Sequence, residues 1–176
     1  MVAPDLPMDD DGAGAGVWAE TAVMAIDRCI GAEDSDVVVV AHSISGLCLP
    51  IIAERRTVSR MVFLSALIPT PGKPFVDTVA ENPDILPFSA QVANVGTEVG
   101  FGWGPVRDAF YHDCPRQLAR QAFDELRPQS ITAFIEPCPL LRWPAVPTTV
   151  IVMKDDRVVA PYWSRLRTLL DTDIYH

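Results

Sequence analysis

Histidine is scarce in this chain. Only His42, His112 and His176 occur among 176 residues, so any chemistry needing an imidazole is confined to three positions. Basic residues are few as well. Fourteen Lys and Arg against 23 Asp and Glu leave a formal net charge of −9, which argues against a basic surface for nucleic acid or anionic membrane. The four cysteines, Cys29, Cys48, Cys114 and Cys138, contain no C-x-x-C pair. Their spacing suggests neither a zinc site nor a disulfide framework. No apolar run reaches the length of a membrane span, and no basic-then-apolar signal opens the chain. The default expectations are a cytoplasmic location and a small-molecule partner, with no nucleic acid and no membrane. What remains is ordinary for a globular protein: 49% hydrophobic and 21% charged residues in a length suited to one domain, residues 1–176.

The most informative stretch is Asp36 to Gly46, DVVVVAHSISG. A β-branched run, Val37 to Val40, meets a cluster of small residues around Ser43, and an apolar segment starts at Ile44. Strand, sharp turn with serine at its apex, then helix is the geometry of a nucleophile elbow. Such a turn strains the serine backbone and lifts its Oγ off the sheet. It also aims the backbone N–H of Ile44 at the place where an oxyanion would form. The usual pattern is G-x-S-x-G; here Ala41 and Ser45 take the small positions and Gly46 follows one step later.

Periodicity places the other elements. Val17 to Ile30 reads as a helix, with Trp18, Ala22, Ala25 and Cys29 on one face. The unbroken run Val37 to Val40 suits a parallel strand covered on both faces. Ile44 to Arg55 reads as a helix that Pro50 should kink, with Cys48 a core residue. Met61 to Ser65 is the next strand, completing a right-handed parallel crossover. From about residue 73 to 140 the chain changes character, with prolines, aromatics, a glycine-rich patch at 96–104 and a helix at Arg116 to Leu126. This reads as an inserted helical cap. Thr148 to Met153 returns as a strand, Pro161 to Leu170 as a helix, and Thr172 to Tyr175 as the start of one more strand. The class is α/β, with a mostly parallel sheet and flanking helices.

An activated serine needs a base, and the base an orienting carboxylate. In the elbow fold the chain order is Ser, acid, His. Ser65 and Ala66 end one strand without a carboxylate. The other strand runs into Asp155 and Asp156, either of which could serve, or merely cap a turn. His42 directly precedes the serine and suits a packing role. His112, in the cap, suits a satisfied structural or surface role. His176 follows the acid in the right order and is the candidate base, although terminal residues are poorly held.

Several blocks in order resemble α/β-hydrolases of the small cap-bearing group that includes hydroxynitrile lyases and plant methyl-ester esterases. They are VAPDLP at Val2, AHSISG at Ala41, MVFLSALIPTPG at Met61, FYHDCP at Phe110, LRPQS at Leu126 and WPAVPTTVIVMKDDRVVAP ending at Pro161. The resemblance implies Ser43 as nucleophile, Ile44 N–H as half of an oxyanion hole, and Asp156 rather than Asp155 as the acid. It implies no metal and no organic cofactor. The family's HG-type loop would precede VAPDLP and its GGH-type segment would follow His176, so the chain is similar to the middle of such a protein, lacking both ends. Exposed sheet edge and self-association are then expected. Three readings follow: an esterase acting on small apolar esters, an inactive fragment or small-ligand binder, and a lyase, in which a lysine would directly follow the base histidine.

Overall fold

The computed structural model describes residues 1–31, 36–87, 93–95, 98–100, 102–161 and 173–175. Four parallel strands form the main sheet in the order β1-β2-β6-β7: β1 (Val38–His42), β2 (Arg60–Leu64), β6 (Thr148–Ile151) and β7 (Asp173–Tyr175). Val39 lies beside Met61 and Met61 beside Thr148, so every strand points its C-terminal end toward one edge of the sheet. The crossover from β1 to β2 runs through a 3-10 turn (Ser43–Leu47) and α2 (Leu49–Arg55). Helix α1 (Ala15–Ile30) precedes β1 and packs on α2.

One face of the sheet carries the core. Ala41, Met61, Phe63, Val150 and Val152 are buried there with Leu49 of α2, and Trp143 stacks on Phe63. A second buried cluster joins α1 and α2 through Trp18, Ala22, Leu47 and Ile51. The Trp18 indole N–H donates to the Pro7 carbonyl at 3.3 Å, which satisfies the one polar atom of a fully buried side chain. Arg56 is also buried. Its guanidinium donates to Asp27 Oδ1, the Gly31 carbonyl and the Thr57 carbonyl at 2.8–3.0 Å, clamping the end of α1 to the end of α2. Burial of that charge is tolerable because all three contacts are charge-assisted.

Three expectations change. Pro50 does not kink a helix. The chain turns first through the 3-10 segment, so Pro50 falls in the first turn of α2, where a missing N–H leaves no bond unmade. The apolar run of β1 is not covered on both faces among the described residues. Val39 and Ala41 pack inward, whereas Val38 and Val40 remain 53% and 58% exposed. The strand at Thr148 is two residues shorter than the periodicity suggests, and the helix expected at Pro161 to Leu170 lies, beyond Pro161, outside the described residues.

Between β2 and β6 the chain forms α3 (Phe75–Glu81), α4 (Trp103–Phe110), α5 (Arg116–Asp124) and α6 (Thr132–Ile135). It also forms a small antiparallel sheet of β3 (Ala93–Val95), β4 (Glu98–Gly100) and β5 (Gln129–Ser130), so the insertion is mixed rather than purely helical. Phe75, Ile85, Ala133 and Leu140 from this segment share the core cluster of α1 and α2.

Candidate active site

Ser43 directly follows β1, opening the 3-10 turn with φ at 55°. Left-handed backbone is unfavourable for a residue with a Cβ, so something must hold it there. Two contacts do. The Leu67 N–H donates to the Ser43 carbonyl at 2.9 Å, tying the apex to the chain leaving β2. The Ser45 hydroxyl accepts from the His42 N–H at 3.0 Å and donates to the His42 carbonyl at 2.7 Å, closing the turn from the other side. Ser45 is therefore more than a small residue in this turn; its hydroxyl serves the backbone groups that a neighbouring strand would otherwise take.

The tight position is Gly46. A Cβ placed on it would collide with the Leu67 carbonyl oxygen and lie 3.0 Å from the Ala66 Cβ. The helix after the elbow thus presses on the chain leaving β2 with no side chain between. Gly46→Val is expected to destabilise the fold by about 2–3 kcal/mol through overpacking against backbone that cannot yield. Chemical denaturation should show the transition midpoint fall by a corresponding amount.

The Ile44 side chain is buried, and its N–H stands in the first turn after Ser43, where no intrahelical acceptor exists. Cys48 is buried beneath the elbow as expected, and burial pushes its thiol up to about 12, which keeps it protonated and inert.

Asp156 sits in the turn after β6, on the same sheet edge as Ser43. Its Oδ1 accepts from the backbone N–H groups of Val158 and Val159 at 2.8 and 3.0 Å. Two amides on one oxygen fix the carboxylate plane. Asp156 is half-buried while Asp155 is exposed, so the turn itself separates the two candidate acids. The turn is also joined to the inserted segment: Arg157 Nη1 donates to the Asp108 carbonyl at 3.1 Å, and Ala160 N–H to the Ile85 carbonyl at 2.9 Å.

The histidines divide differently from expectation. His42 is exposed rather than packed, because the alternation of β1 turns it to the open face. His112, expected in a satisfied structural or surface role, is half-buried, and its Nδ1 is buried with no hydrogen-bond partner among the described residues. His176, the candidate base, directly follows β7 and lies outside the described residues. No group of three or more His, Cys, Asp and Glu is placed to hold a metal among the described residues, and no described helix is long and apolar enough to cross a membrane.

Ser65 has a geometry that the amino-acid pattern did not single out. It follows Leu64, the register partner of His42, and so stands level with Ser43. It too has positive φ, 40°, and its hydroxyl is buried without a partner among the described residues. A serine at the end of an apolar strand carries no local signal of such strain. Paired strained serines at adjacent strand ends are a property of the assembled sheet.

A family model described as "Alpha/beta hydrolase family" matches residues 1–172. No curated protein matches. Among solved structures, the chain is similar to a pyrethroid hydrolase from Sphingobium faniae, with TM-score 0.74 and 18% identity, covering 98% of this chain and 75% of that one. It is similar to a methylesterase from Arabidopsis, with TM-score 0.67 and 18% identity over 92% and 68% of the two chains. An extracellular α/β-hydrolase from a Paenibacillus species gives TM-score 0.69 and 15% identity over 94% and 71%.

Proposed function

This chain belongs to the α/β-hydrolase family, and from that premise we propose that it is a serine hydrolase acting on a small, apolar carboxylic ester through an acyl-enzyme. The observation that carries the reading is Ser43 held at positive φ at the C-terminal edge of a parallel sheet, with the amide-fixed carboxylate of Asp156 on the same edge.

In the proposed reaction Ser43 Oγ attacks the ester carbonyl. His176, which follows the acid in the order Ser, Asp, His, takes the hydroxyl proton, and Asp156 orients the imidazole. The Ile44 N–H faces the oxyanion. The histidine returns the proton to the departing alkoxide, and water then cleaves the acyl-enzyme by the same steps in reverse. Aromatic residues of the inserted segment, with Trp103 against Phe123 and Phe110 beside Tyr111, support an apolar acyl or alcohol group. Similar solved structures named as a pyrethroid hydrolase and a methylesterase support ester chemistry in general and leave this chain's substrate to experiment.

The test is treatment of the folded chain with a fluorophosphonate, followed by peptide mapping. The expected adduct is on the Ser43 peptide, with turnover of short-chain aryl esters. A folded protein without adduct would replace this reading with a non-catalytic binder of small apolar molecules.

A further inference from the structure

Ser65 carries two penalties at once, and the chemistry proposed above uses neither. Its φ is 40°, and its hydroxyl is buried without a partner among the described residues. Residues held in such conformations persist where their surroundings fix them, and they gather at functional sites. The hydrogen bonds on either side of Ser65 show what its conformation achieves. Its own N–H still donates to the Ile151 carbonyl at 3.0 Å, so the chain keeps its register with β6 up to that atom. The departure starts at the next bond, the Ser65 φ, and beyond it the chain turns toward β1. Leu67, two residues later, donates its N–H to the Ser43 carbonyl at 2.9 Å. Ala66 and Leu67 are both buried, and the Ala66 Cβ and the Leu67 carbonyl abut Gly46 of the elbow.

The Ser43 carbonyl matters for the group on the other side of its peptide. A trans peptide is planar, with its C=O and N–H pointing in opposite directions. The plane that holds the Ser43 carbonyl therefore also holds the Ile44 N–H, and the bond between them is trans. Drawing the carbonyl toward the chain leaving β2 aims the N–H away from it. Ser45 serves the backbone groups of His42, one peptide earlier. The bond from Leu67 reaches this plane from outside the elbow. We propose that Ser65 is a positioning residue for the oxyanion donor: its left-handed backbone brings the Leu67 N–H onto the Ser43 carbonyl, and so sets the direction of the Ile44 N–H. The inference rests on the serine-hydrolase reading above. The backbone does the positioning, because the Ser65 hydroxyl reaches no other described group.

The test compares side chains of similar size and opposite tolerance for left-handed backbone. Asn accepts it, whereas β-branched Thr resists it. Ser65→Asn and Ser65→Ala should label with a fluorophosphonate at the parent rate. Ser65→Thr should label more slowly. On a short-chain aryl ester its kcat should fall on the order of 10²-fold with KM unchanged, because the oxyanion forms only in the transition state. A loss of core packing at the opposite end of β2, Val58→Ala, should lower the melting temperature and leave kcat at the parent value. Amide exchange at Leu67 reads the same hinge without any reagent. It should be roughly tenfold faster in Ser65→Thr than in the parent, and unchanged in Ser65→Asn. If Ser65→Thr does not fold, an ester in place of the Leu67 amide (leucic acid at position 67) deletes the donor alone and should lower kcat by the same factor. Equal effects of Asn and Thr, an Ala variant as slow as the Thr variant, or a Thr variant with parental kinetics would each overturn the proposal. A parent that never labels would remove the hydrolase reading, and with it the oxyanion role. The exchange pattern at Leu67 separates that outcome from a failed hinge.

Discussion

Ser43→Ala is expected to abolish fluorophosphonate labelling and to lower ester hydrolysis by on the order of 10⁶-fold, the scale on which removal of an activated serine acts. The loss should be all-or-none in labelling because the reagent bonds to Oγ itself. Position 43 offers a second, opposite effect. Its φ of 55° is costly for any residue with a Cβ. Ser43→Gly removes the same hydroxyl and relieves that strain, so it should be inactive yet more stable than the parent by roughly 1 kcal/mol, visible as a higher melting temperature. Stability gained at the price of activity is the mark of a residue held in place for chemistry. Labelling that persists in either variant would remove Ser43 from the mechanism.

Asp156→Asn is the second large effect. The amide oxygen can still accept from Val158 and Val159, so the turn and the melting temperature should stay close to the parent. Charge and the correct histidine tautomer are lost, and kcat is expected to fall by about 10⁴-fold. Asp156→Ala removes the acceptor too, leaving two amides unserved at about 1 kcal/mol each, and should lose stability as well as activity. Equal thermal stability of the two variants would mean that the amide contacts hold nothing. Unchanged turnover in Asp156→Asn would move the orienting role elsewhere.

How much of this was legible beforehand depends on the range of the interactions involved. The apolar run at Val37 and the small residues around Ser43 are local patterns, and they announced strand, turn and helix correctly. Gly31 likewise marks the end of α1, where its φ of 84° confirms the stop. Choosing Asp156 over Asp155 needed the family blocks, because two adjacent acids look alike until a turn buries one and exposes the other. The placement of Pro50 was misread since nothing local distinguishes a kinked helix from a 3-10 turn followed by a fresh helix start. The exposure of Val38 and Val40, the strained Ser65 and the unserved Nδ1 of His112 were invisible in principle. Each depends on which distant segment packs alongside, which residue order does not state.

The hydrogen bonds from Arg157 to Asp108 and from Ala160 to Ile85 give the inserted segment and the acid-bearing turn a common fate. They lie within four residues of Asp156, on the same short turn. A movement of the segment large enough to break them frees the residues that hold the carboxylate. Amide exchange at Val158, Val159 and Ala160 is accordingly expected to share one rate, and to quicken together in Arg157→Ala. Under the proposed chemistry, the carboxylate that orients the base hangs on a turn that the inserted segment braces from outside the sheet.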